Sequence, residues 1–85
     1  MAAPGGGFLC TVDRVGPAED GVVYIWLTDR GGSFSHWFVV LDAIKREMLA
    51  TALAAISTGY RVEVFLASTD PYGQINHLYL HRTVE

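Results

Sequence analysis

A chain of 85 residues has too little apolar surface to build two separate cores, so the sequence describes one domain. Apolar and aromatic residues make up 51% of it and charged residues only 18%, against roughly 25% in an average soluble domain, which leaves little charge to cover a monomer and points to self-association. Six Lys and Arg against nine Asp and Glu give a net charge of −3, so no basic field draws in a phosphate backbone and nucleic acid is disfavoured; the single cysteine, Cys10, excludes an internal disulfide.

Residues 1–7, small and glycine-rich, read as a flexible segment ahead of a domain at 8–85. They lack the charged start and apolar run of a signal peptide, and no stretch reaches the roughly 20 apolar residues that span a bilayer, so no membrane insertion is expected and localisation stays open. Phe8 to Val15 predicts a first strand, and Asp20-Gly21 a hairpin turn after it. Val22 to Thr28, β-branched and aromatic throughout, predicts the second strand, and Phe34 to Val40 the third after the turn Asp29-Arg30-Gly31-Gly32. At Asp42 the character changes. That residue suits an N-cap for a helix running to Ser57, with Ile44, Met48, Leu49, Ala52, Leu53 and Ile56 on one apolar stripe and Gly59 as the stop. Tyr60 to Leu66 alternates as a fourth strand, and Ile75 to Arg82 gives the fifth after the loop Ser68 to Gln74.

The order β-β-β-α-β-β in a mainly β chain with one helix is that of the OB-fold, a five-stranded Greek-key barrel. A helix packed on an open antiparallel sheet is the competing α+β arrangement.

The second half carries a resemblance. Met48 to Gly59 is an alanine-leucine helix ending in a Thr-Gly turn, followed by Arg61-Val62-Glu63-Val64 and by Ile75-Asn76-His77-Leu78-Tyr79-Leu80. Together these resemble the B subunits of subtilase-type cytotoxins, a family of small bacterial OB-fold proteins. The resemblance spans roughly half the chain. It implies a secreted, glycan-binding subunit that closes into a homo-oligomeric, pentameric ring, and it carries no sugar-contacting residue onto a position of this sequence.

Function is expected from three places. If Val23, Ile25 and Leu27 face the core, the pleat turns Val22, Tyr24 and Trp26 outward, and on the third strand either Trp37 and Val39 or Phe38 and Val40. Such a second apolar face wants a cover: the fold's own coiling, a second subunit, or a ligand stacked on Tyr24, Trp26 and Trp37. The loop Ser68, Thr69, Asp70, Tyr72 and Gln74 offers hydroxyls, a carboxylate, a ring and an amide, which suit a sugar and are also ordinary turn residues. His77 and His81 lie about 13 Å apart along a strand, too far to share a metal, so neither a metal nor another cofactor is expected. Cys10 has no evident base beside it, and no phosphate-binding loop, nucleophile elbow or metalloprotease helix is present, so no catalytic residue is assigned. The expectation is a non-enzymatic binding subunit that assembles into a homo-oligomer and recognises glycans. The alternatives are a structural module docking another protein and, last, a binder of single-stranded nucleic acid.

Overall fold

The computed structural model describes residues 6–82. Five strands, β1 (Gly6–Pro17), β2 (Val23–Asp29), β3 (Ser35–Val40), β4 (Arg61–Leu66) and β5 (Gln74–His81), close into a barrel in the order β1-β2-β3-β5-β4. Neighbours pair antiparallel except β3 with β5, which run parallel through Val39↔Gln74 and Val40↔Ile75. A parallel closure needs a long crossover, and the chain between β3 and β5 supplies it as a 3-10 turn (Asp42–Ile44), α1 (Lys45–Thr58) and β4. This is the OB-fold barrel with one helix, and the open-sheet arrangement is excluded by the closure.

The alternation along β2 follows the expected phase: Val23, Ile25 and Leu27 are buried and Tyr24, Trp26 and Thr28 point outward. On β3 the structure selects Phe38 and Val40 for the core and turns Trp37 and Val39 out. Cys10, Ile25, Leu27, Phe38, Val62, Val64 and Ile75 are fully buried at the barrel's centre. Gly6 and Gly7 already pair with Leu66 and Phe65, so β1 starts two residues before the expected strand; residues 1–5 of the expected flexible segment, and 83–85, lie outside the described residues.

Two expectations about the helix are corrected. Asp42 does not cap it: Asp42 opens the 3-10 turn and pairs with Lys45 at 3.6 Å, and α1 begins behind Ile44 without a side-chain cap. The buried face is Met48, Ala52 and Ala55, while Ile44, Leu53 and Ile56 are 36%, 49% and 42% exposed. Alanines at 52 and 55 let the backbone lie close on the barrel, which leaves the branched residues of the expected stripe on the flank. At the other end Gly59 takes a left-handed φ of 78° and donates its N–H to Ala55, the stop expected for it.

Candidate functional site: an aromatic cleft on the outer face of strands 1 to 3

The site begins with a bulge. Between Val12, opposite Leu27, and Arg14, opposite Trp26, β1 carries one extra residue, Asp13. Without it Arg14 would share the inward side of Val12; the extra residue reverses the phase, so Arg14 and Gly16 face outward beside Trp26 and Tyr24. Gly16 has open space where a Cβ would stand, which leaves room in front of Tyr24. Pro17 and Ala18 then carry the chain into the first turn, where Asp20 Oδ1 accepts the N–H of Val22 and its Oδ2 accepts the Tyr24 hydroxyl at 3.2 Å.

A second turn enters from the opposite side. The N–H of Tyr72 donates to the Trp37 carbonyl at 2.7 Å and the N–H of Val39 to the Gly73 carbonyl at 3.0 Å, so the connection between β4 and β5 is tied down along β3. This places the Tyr72 ring 5.9 Å from that of Tyr24, at 85° to it, while Trp37 lies 6.3 Å from Tyr24 at 77°. Tyr24 is thus flanked by two rings set nearly perpendicular to its own, an arrangement that the quadrupoles of aromatic rings favour. Residues 14–18, Tyr24, Trp37 and Tyr72 enclose a cleft of about 340 Å³, near the lower end of the range for small-molecule sites. Desolvation, then the Asp20 carboxylate and its hydrogen bond, then Tyr72, push the Tyr24 hydroxyl above its ordinary 10.0, so it remains a donor at the mouth.

Trp26 has a different part. Its ring lies 5.5 Å from Trp37 at 77°, the Arg14 guanidinium sits 5.6 Å over its face, and its Nε1 donates to Ser35 Oγ at 3.1 Å. Thr28 Oγ1 gives its one proton to the Asp13 carboxylate, so across the 2.8 Å Thr28–Ser35 contact Ser35 is the donor. The hydrogen bonds run from Trp26 to Ser35 to Thr28 and end on the Asp13 carboxylate as acceptor, which fixes the indole as a buttress behind Trp37. Ser35→Ala should lower the unfolding free energy by about 1 kcal/mol, the scale of one hydrogen bond, read from urea melts, with a shift in tryptophan emission.

Of the residues expected to form a site, Tyr24, Trp37 and Tyr72 therefore meet, and Trp26 supports them from beside the cleft. The remaining loop residues serve the turn. Ser68 Oγ accepts the N–H of Asp70, the Asp70 carbonyl accepts the N–H of Gly73, and the Gln74 amide donates to Asn76; Thr69 is partly buried and does not line the cleft. No family model, curated protein or solved structure matches the chain. The chemistry of the cleft is therefore argued from its own residues. Among the described residues no three His, Cys, Asp or Glu side chains gather in a metal-binding group, and His77 Nδ1 lies 3.1 Å from the Tyr79 hydroxyl instead. No helix among them is long and apolar enough to cross a membrane.

Arg14 and residues 15–18 were not expected at the site. The bulge that brings them there has no signature in the run Thr11-Val12-Asp13-Arg14-Val15 beyond one polar pair interrupting the alternation.

Proposed function

We propose that the chain is a non-catalytic binding subunit that takes a glycan in the aromatic cleft and associates with further copies of itself. The observation that carries this reading is the convergence of three rings, from β2, β3 and the β4–β5 turn, around an open cleft on the strand 2–3 face between the 1–2 and 4–5 connections, the region with which OB-folds hold oligosaccharides and oligonucleotides. The apolar C–H face of a pyranose stacks on such rings, and the Tyr24 hydroxyl, Asp20 and Arg14 supply donors and acceptors for its hydroxyl groups. Charge favours the sugar over the oligonucleotide. A strand of phosphates needs a track of cations, whereas Arg14 is the one basic residue lining the cleft of a chain with net charge −3.

Association is supported by the apolar residues left outside, Ile44, Leu53 and Ile56 by the helix and Phe65, Tyr79 and Leu80 on β4 and β5, together with the low charge content. Several copies of a shallow site would bind a multivalent glycan with an avidity that one lacks; a ring of five is what the family resemblance adds. These same outer residues favour the second reading, a module that docks another protein.

Titration with lactose, maltotriose and N,N′-diacetylchitobiose, followed by tryptophan fluorescence, tests the first reading. At least one sugar should change the emission, and Trp37→Ala should weaken that sugar by about tenfold or more, the scale of one stacking ring. Gly16→Val, which enters open space, should block it with the fold intact by circular dichroism. Native mass spectrometry showing a single closed oligomer supports association. No response to any sugar, with an oligomer or a captured partner protein present, moves the assignment to the docking module.

A further inference from the structure

We infer that Tyr72 selects the ligand of the cleft: its ring is a preset wall, held by a backbone conformation better suited to glycine, against which the apolar face of a pyranose lies. This rests on the reading of the cleft as a glycan site. Tyr72 has φ 63°, and it is the one non-glycine residue with positive φ among the described residues. The others are Gly21, Gly32 and Gly59, so elsewhere this chain meets the same requirement with glycine. Asp70-Pro71-Tyr72-Gly73 closes through the Gly73 N–H donating to the Asp70 carbonyl at 3.0 Å. With proline second and a positive φ third, this is the pattern of a type II turn, whose third position takes glycine or asparagine. Tyrosine there opposes the local preference of the backbone.

Burial does not account for the choice, because Tyr72 is 59% exposed and meets Tyr24 edge to face. What the unfavourable conformation achieves is direction. The N–H of Tyr72 is fixed on Trp37, the carbonyl of Gly73 receives the N–H of Val39, and the left-handed backbone between them aims the ring into the cleft. Backbone strain retained at an exposed aromatic residue is what a preorganised contact surface looks like, since a wall already in place costs the ligand no ordering.

The test pairs a stability measurement with a binding measurement on Tyr72→Gly, which removes the ring and relieves the backbone together. Tm should equal that of the natural sequence or exceed it by up to about 8 °C. Affinity for whichever of lactose, maltotriose or N,N′-diacetylchitobiose the natural sequence binds should fall by about tenfold or more. Tyr72→Ala, which removes the ring but keeps the backbone requirement, should lose the same affinity and melt about 4–8 °C below Tyr72→Gly. A sugar bound equally well by Tyr72→Gly overturns the inference and leaves the glycan reading standing. A Tm for Tyr72→Gly clearly below that of the natural sequence also overturns it, by showing that packing holds the ring. No sugar bound by the natural sequence overturns both.

Discussion

Gly73→Ala should lower the unfolding free energy by about 3 kcal/mol and disorganise the cleft at the same time. A Cβ built on Gly73 stands 2.5 Å from the Ser68 carbonyl oxygen and 3.0 Å from that of Asp70. Both obstacles are backbone, so no side chain can swing away, and the turn itself has to open. Opening breaks the Gly73–Asp70 hydrogen bond and displaces the carbonyl that receives the N–H of Val39, which lies at the short parallel junction of β3 with β5. Overpacking of a tight site costs about 1–3 kcal/mol, and this one also disturbs barrel closure. Urea melts of Gly73→Ala against Gly16→Ala decide the matter, because a Cβ at Gly16 meets nothing within 4 Å and that variant should lie within about 0.5 kcal/mol of the natural sequence or slightly above it. Equal midpoints for the two variants would show that the turn yields freely, and the preset position of Tyr72 would lose its physical basis.

The barrel was legible because β2 and β4 each bury one face. Val23, Ile25 and Leu27, or Val62, Val64 and Leu66, keep a period of two that only a strand can use, and the alanine-leucine run after Asp42 cannot be mistaken for one. The helix stripe was right at Met48, Leu49 and Ala52 and too wide at its edge: Leu53 and Ile56 look like core, yet it is Ala55 that fits the close approach to the barrel. Alternation placed Tyr24 on the outer face once Val23, Ile25 and Leu27 faced the core, but it left Trp37 and Phe38 as alternatives, and the structure turns Trp37 out. The meeting of Tyr24 and Trp37 with Tyr72 was not legible, because it depends on two backbone hydrogen bonds between β3 and a distant turn. Arg14 was beyond reach for a related reason. Its side of the sheet is set by the bulge at Asp13, and one inserted residue reverses every orientation that follows. The resemblance to toxin subunits drew on core-type residues, which report on the barrel much more than on the cleft.

The second large effect is alkaline. Cys10 is fully buried in β1 between β2 and β4, paired with Asp29 and Val62, and its thiol is pushed from an ordinary 9.0 up to about 12, first by burial and next by the Asp29 carboxylate, with Arg61 opposing. Above pH 9.0 the unfolded chain releases this proton while the folded chain holds it until about pH 12. The unfolded state then binds fewer protons than the native one, so unfolding becomes easier as pH rises. The contribution is intact below pH 9.0 and is lost progressively toward about pH 12. At about 1.4 kcal/mol for each pH unit, the loss reaches a few kcal/mol once that window is crossed, a large share of what holds an 85-residue domain together. Urea midpoints from about pH 8 to about pH 10.5 should therefore fall steeply for the natural sequence. In Cys10→Ala they should start lower, by the cost of a small cavity, and fall less. Tyr24, also raised, adds a decline of the same sign above its ordinary 10.0, and it remains in both proteins, so the difference between the two curves isolates the thiol. Parallel curves would mean that the thiolate forms in the native barrel as readily as in the unfolded chain. In that case Cys10 would also react with a disulfide reagent without unfolding, whereas a thiol buried as this one is should react only as fast as the barrel opens.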